Sequence, residues 1–174
     1  MGVLARPKPV KLVVSLIFRE AEKLELAEKE LRDIYGPTEK VEKTLPFDYT
    51  DYYYEEFGRP LSRKLLSFRE LLSAGDVSGT KLRTNDIEDQ YRTDGKRTVN
   101  IDPGYVTEAK LVLLTTKDYT HRVHIGSGIF AESTLFYRDG TFRPWRWTYP
   151  DYASPEVVSY FNEVRETYVG QLKA

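Results

Sequence analysis

The run Thr98-Val99-Asn100-Ile101-Asp102-Pro103-Gly104-Tyr105-Val106-Thr107 reads as a strand that ends in a turn, and the elements on either side take their places from it. Side chains alternate along a strand, so Val99 and Ile101 share one face while Asn100 and Asp102 share the other. Pro103-Gly104 then breaks the run with a turn. An amide and a carboxylate that leave a rigid strand together suit a small-ligand site, since binding groups sit where a scaffold gives way to a loop. The same residues also fit an Asx turn in which Asp102 bonds the backbone beyond Pro103.

Working back from this strand, Asp94-Gly95 marks a tight turn, and residues 76–91 have helical spacing. Asp76 is placed to cap that helix, with Val77, Leu82, Ile87 and Tyr91 as its apolar positions. Lys81, Asn85 and Glu88 fall at i, i+4 and i+7 on one polar face, which is either solvated or turned to a site. Residues 63–72 have strand character in their first half, and Ser73-Ala74-Gly75 ends them. Residues 40–45 can extend up to Pro46. The aromatic and acidic stretch 47–58 either caps the core or lines a cleft, and capping is the expectation. Residues 20–35 form a helix with Leu24, Ala27, Leu31 and Ile34 on its apolar stripe, stopped by Gly36-Pro37. Residues 11–18, almost continuously apolar, read as a strand buried on both faces at the centre of the sheet. Residues 1–9 form a loose arm.

Beyond Thr107, residues 109–116 fit a buried strand or a short helix capped by Thr107, and their β-branched end favours strand. Residues 121–125 and 129–137 are extended around Gly126-Ser127-Gly128, and Asp139-Gly140 closes a hairpin against 141–149. Ser154-Pro155 starts a final helix with Val157, Tyr160 or Phe161, Val164 and Tyr168 on its buried stripe. The expected class is a single α+β domain. Its sheet is mixed and mostly antiparallel, with a ferredoxin-like βαββαβ core, a C-terminal β-hairpin region and a C-terminal helix.

At 174 residues the chain can bury a core without staples. A net charge of −1 argues against broad nucleic-acid binding, which needs an excess of Lys and Arg. With no cysteine, disulfides, thiolate nucleophiles and cysteine-ligated zinc are excluded. No signal peptide is visible and the apolar run 12–18 is too short for a bilayer, so a cytoplasmic protein with no membrane partner is expected.

His121 and His124 are the only histidines. Three apart on a strand, they point to opposite faces, so no shared zinc site is expected. His121 alone reads as a partly buried histidine bonded to backbone. A Mg²⁺ site can be drawn from Asp102, Glu132 and either Asp48 or Asp51, although their spacing does not demand one. Gly126-Ser127-Gly128 lacks the Gly-x-Ser-x-Gly elbow of a serine nucleophile. In Arg143-Pro144-Trp145-Arg146-Trp147 the tryptophans share a strand face, which favours core packing with arginines at the rim over base stacking.

Several strings together resemble a bacterial and archaeal family known as domain of unknown function 4416. They are Pro46-Phe47-Asp48-Tyr49-Thr50-Asp51-Tyr52-Tyr53, Lys81-Leu82-Arg83-Thr84-Asn85 with Ile87-Glu88, Asn100-Ile101-Asp102-Pro103-Gly104-Tyr105, Thr116-Lys117 with His121-Arg122, and Trp147-Thr148-Tyr149-Pro150-Asp151-Tyr152. The resemblance brings no activity; it implies that polar members of these strings assemble into one site. Some members of that family bear a GTP-binding label, which the residues support poorly. Residues 75–81 read Gly-Asp-Val-Ser-Gly-Thr-Lys, with the second glycine too early for a P-loop and no hydroxyl after Lys81. Thr116-Lys117-Asp118 lacks the spacer of a guanine-reading motif.

The expected site is a cleft lined by Asn100, Asp102 and Tyr105. Lys117, Arg122 and His124 supply positive charge there, Glu132 a second carboxylate, and Lys81, Asn85, Glu88 and His121 further contacts. That mixture suits an anionic small molecule such as a nucleotide or phosphorylated metabolite, with Asp102 or His124 as acid or base if there is chemistry. The rival expectation is a non-enzymatic homodimer that uses the tyrosine-rich stretch 47–57 and Trp147-Thr148-Tyr149-Pro150 as its interface.

Overall fold

All nine residues of β1 (Val10–Phe18) are buried, and an apolar run with no polar face has to lie inside a sheet. The computed structural model describes residues 2–3, 6–39 and 42–174. After β1 come α1 (Ala21–Tyr35), β2 (Lys43–Phe47), α2 (Tyr54–Phe57), β3 (Leu61–Leu72), α3 (Val77–Gln90) and β4 (Val99–Val106). They are followed by β5 (Lys110–Thr115), β6 (Val123–Gly126), β7 (Ile129–Arg138), β8 (Thr141–Pro144) and α4 (Pro155–Gln171). The result is an α+β fold on one eight-stranded sheet, ordered β2-β3-β1-β4-β5-β7-β6 with β8 beside β7. All its pairings are antiparallel.

Alternation along β1 assigns the two faces. Leu12, Val14, Leu16 and Phe18 meet Leu24, Ala27 and Leu31 of α1 and Ile87 of α3. Val13 packs in the opposite layer with Val157, Tyr160, Phe161 and Val164 of α4. Each such side chain contributes roughly 1.5–3 kcal/mol on full burial, so both helix layers are held by the same strand. The α4 stripe is buried as its spacing requires, and Ser154 Oγ accepts from Val157 N at 3.4 Å. On α1 the stripe ends early: Ile34 is 38% exposed, and Glu28 is buried instead, between Arg32 and Lys64.

Other departures from the sequence reading have local causes. β4 continues through Pro103-Gly104 instead of turning there, and β3 is a strand over its whole length. Within 109–116 the favoured strand forms, as β5 over Lys110–Thr115. β2 runs through Pro46, which is tolerated because β2 is an edge strand. β8 stops at Pro144, so Trp145 and Trp147 leave the sheet in a turn, and Trp145 is exposed. Lys40 and Val41 of the expected extended segment, and Met1, Leu4 and Ala5 of the expected arm, lie outside the described residues. No helix among the described residues is long and apolar enough to cross a membrane.

Near the start of β1 the ladder with β3 slips between Lys11↔Leu71 and Val13↔Ser67. Lys11, fully buried, fills the irregularity. Its Nζ donates to the carbonyls of Phe68 at 2.9 Å and Arg69 at 3.3 Å and pairs with Glu39 at 2.8 Å. Removing a buried donor leaves its acceptors desolvated and unpaired, so Lys11→Met should cost about 3 kcal/mol in denaturant unfolding. Lys29→Met, which opens an exposed pair with Asp33, should leave the midpoint unchanged. Equal midpoints for both variants would show that Lys11 does not hold this corner.

Candidate functional site

β4 and β5 pair only at Gly104↔Leu113, Tyr105↔Val112 and Val106↔Leu111, and then part. Pro103-Gly104 sits at the point of parting. A Cβ on Gly104 would collide with the Val112 carbonyl oxygen, so only glycine lets the two strands approach where they do pair. Pro103 directs its backbone to the same side as Tyr105 two residues on, but it has no N–H to continue the ladder. The proline therefore ends the pairing with β5 while β4 itself runs on beside β1. A cleft of about 820 Å³ opens there, within the range of small-molecule sites.

Ile101 is the next residue with backbone groups on this open edge, and α3 satisfies both of them. Lys81 Nζ donates to the Ile101 carbonyl at 2.9 Å, and the Ile101 N–H donates to Glu88 Oε1 at 2.5 Å. Two helical turns separate Lys81 and Glu88, so they fall on one face and grip the strand as a neighbouring strand would. Both are buried, and Asn85 lies between them on the cleft wall. Burial pushes the Glu88 carboxyl above its ordinary value, against the opposing pull of the Lys81 ammonium and the Ile101 N–H.

Asn100 and Asp102 project from the other face of β4. Asn100 Nδ2 donates to Asp102 Oδ2 at 2.6 Å, while Asn100 Oδ1 accepts from Arg97 Nη1 at 2.7 Å. Arg97 is itself fixed by Glu56, through Nε at 2.9 Å and Nη2 at 2.7 Å, and by Glu88 at 3.2 Å. Asp102 Oδ1 lies 3.5 Å from Lys81 Nζ. Across β1 from Asn100, in register through Ile17, stands Arg63 of β3, almost wholly buried, with its guanidinium carbon 4.8 and 4.7 Å from the ring centres of Phe47 and Tyr152. Asp151 pairs with its Nη2, whereas Nε and Nη1 have no hydrogen-bond partner. Burial, and after it the Asp102 charge, pushes the Tyr53 phenol well above its ordinary value. Burial also raises Tyr152, so both hydroxyls stay protonated at neutral pH.

Glu132 of β7 forms the facing wall. It is buried and accepts from Arg122 Nε at 2.7 Å and Thr134 Oγ1 at 3.3 Å, with His121 Nε2 at 3.2 Å. Lys117 stands at the mouth, donating to the Tyr52 hydroxyl at 3.1 Å. Tyr49, Tyr53 and Tyr149 complete an aromatic lining.

The cleft thus brings together Lys81, Asn85, Glu88, Asn100, Asp102, Lys117, Arg122 and Glu132. Three sequence-derived candidates do not line it. Tyr105 lies on the opposite face of β4, because the strand does not turn at Pro103 and alternation carries it toward Val77 and Leu114. His124 is exposed on β6 against Phe130. His121 reaches the cleft only through Glu132; its ring stacks on Trp147 beside an adjoining hollow. The sequence does not mark Arg63 as a site residue, because β3 carries several polar side chains and nothing local distinguishes this one. The stretch 47–57 both caps and lines: Phe47 and Phe57 pack on Ile17 and Leu61, while Tyr49 and Tyr52 face the cleft. Among the described residues no three His, Cys, Asp or Glu side chains are grouped to hold a metal ion, and Asp51, one of the residues from which a Mg²⁺ site can be drawn, pairs with Arg59.

The raised Glu88 carboxyl fixes the sign of a pH effect. The folded state holds this proton above the ordinary value of 4.5, so its contribution to stability falls as pH rises through the interval between unfolded and folded values. The stability of the wild type relative to Glu88→Gln should therefore decline as pH rises above the ordinary carboxyl value of 4.5 in urea titrations. A relative stability that rises over this interval would contradict the burial of Glu88.

No curated protein and no solved structure matches the chain. Residues 8–168 match the family described as domain of unknown function (DUF4416). The chain belongs to that family, and its match takes in every strand and helix from which the cleft is built.

Proposed function

We propose that the protein binds an anionic small molecule, a nucleotide or phosphorylated metabolite, in the cleft between β4 and β5. The observation that carries this reading is the parting of the sheet at Pro103, where an opening of ligand size is braced by buried side chains of α3. The ligand's charge is met at the mouth by Lys117, whose Nζ bonds a tyrosine hydroxyl and pairs with no carboxylate among the described residues. Arg122 is committed to Glu132 and supports the wall instead. The body of the ligand lies among the tyrosines, and Asp102, oriented by Asn100, accepts a hydrogen bond from it and serves as the base if a reaction follows. On this reading the protein works in the cytoplasm, among such metabolites.

Thermal unfolding with ribose 5-phosphate and a set of nucleoside mono- and triphosphates tests the proposal. A ligand held at 100 times its dissociation constant stabilises by about 2.7 kcal/mol, which for a chain of this size raises the midpoint by roughly 5–10 °C. Asp102→Ala should abolish the shift while unfolding stays cooperative, and Lys117→Ala should weaken binding about tenfold. A wild type whose midpoint no member of the set moves would overturn the reading.

A second reading, a homodimer, is favoured by the surface run in which Trp145 stacks on Trp147 at 5.1 Å and Trp147 on His121 at 5.5 Å, flanked by exposed Tyr119 and Tyr149. It predicts a dimer in sedimentation velocity that Trp147→Ala releases as monomer. A wild type that sediments as a monomer at micromolar concentration excludes it.

A further inference from the structure

The deep end of the cleft carries polar groups that its own structure leaves unused. Arg63 is 4% exposed, and its Nε and Nη1 are buried without a partner, an expensive arrangement unless something that enters the cleft accepts from them. The Phe47 and Tyr152 rings lie against the guanidinium and Asp151 pairs with its Nη2, so the remaining donors are held in place. The Arg63 charge is already balanced by Asp151, and Asp102 stands near enough for its own charge to act on Arg63, Tyr53 and Tyr152. A second anion buried among these carboxylates would be repelled. The acceptor that suits Arg63 is therefore a neutral carbonyl oxygen.

Asp102 calls for the opposite kind of group. Arg97 fixes the orientation of Asn100, so the amide donates to Asp102 Oδ2, and Oδ1 has only the distant Lys81 at 3.5 Å. A carboxylate can only accept, and a guanidinium can only donate. Arg63, which can only donate, and Asp102, which can only accept, both line the cleft together with Tyr53 and Tyr152, a combination that suits a planar ligand edge carrying C=O and N–H.

We infer that the deep end of the cleft recognises the lactam edge of a heterocycle, with the carbonyl oxygen on Arg63 and the ring N–H on Asp102, while the ligand's phosphate stays at the mouth near Lys117. This rests on the reading of the cleft as a site for a phosphorylated metabolite, and it narrows that class to nucleotides with a uracil-like or hypoxanthine-like base. A base with an amino group and a bare ring nitrogen at the same positions turns donor toward donor and acceptor toward acceptor. Such mismatched buried groups discriminate far better than shape does.

Calorimetric titration with uridine and cytidine 5′-monophosphates, inosine and adenosine 5′-monophosphates, and ribose 5-phosphate tests this. The uridine and inosine nucleotides should bind at least tenfold more tightly than their amino counterparts. Asp102→Asn, which can donate to a bare ring nitrogen, should shrink or invert that ratio. In the wild type, with no substitution, uridine 5′-monophosphate should shift the Arg63 Nε–H resonance and slow its exchange with water. Equal affinity for the members of each pair, or an Arg63 resonance that stays put on binding, overturns the inference. If ribose 5-phosphate or all four nucleotides bind alike, the cleft reading survives and only the base specificity falls; if none of the five binds, both fall.

Discussion

The grip of Lys81 and Glu88 on the backbone of Ile101 is the interaction on which the rest of the site depends. A sheet interior has no tolerance for bare N–H and C=O groups, so a strand whose neighbour departs has to find other partners or be covered. Here a helix supplies them with one donor and one acceptor placed two turns apart. The sheet can then part without unravelling, and the gap becomes a walled opening. Pro103 sets where the parting begins and Gly104 sets how closely the strands meet before it.

From that brace the polar groups of the cleft are ordered in sequence. Glu88 also holds Arg97, Arg97 orients Asn100, and Asn100 orients Asp102, so the carboxylate is fixed by a chain that begins at the strand edge. On the other wall Glu132 holds Arg122 and His121 in the segment between β5 and β6. The two walls belong to halves of the sheet whose strands pair with each other only at the three residue pairs of β4 and β5. Their separation is therefore set by rigid strands, the condition under which a few polar groups can discriminate between ligands.

Much of the scaffold is legible in the sequence because periodicity encodes it. The almost continuously apolar run of residues 11–18 reads as an interior strand, and the spacing of Val157, Tyr160, Val164 and Tyr168 as a helix with one buried face. Lys81, Asn85 and Glu88 are visible as one helical face, but whether that face meets water or a strand edge depends on residues elsewhere. Pro103-Gly104 misleads for a related reason. The two residues that usually make a turn act here through a missing donor and a missing Cβ toward a neighbouring strand, which local sequence does not reveal. That error carried Tyr105 into the expected site. Arg63 is illegible because Phe47, Asp151 and Tyr152, which give it meaning, are distant in the chain.

The most direct measurement of this account is hydrogen exchange at the Ile101 amide in the ligand-free protein. Next to a parted strand, that amide should nevertheless exchange as slowly as the strand-paired amides of β1 and β4, and it should lose its protection in Glu88→Ala while those of β1 keep theirs. Rapid exchange at Ile101 in the wild type, or protection that survives the loss of the Glu88 carboxylate, would mean that α3 does not brace the open edge, and the cleft would lose its structural basis.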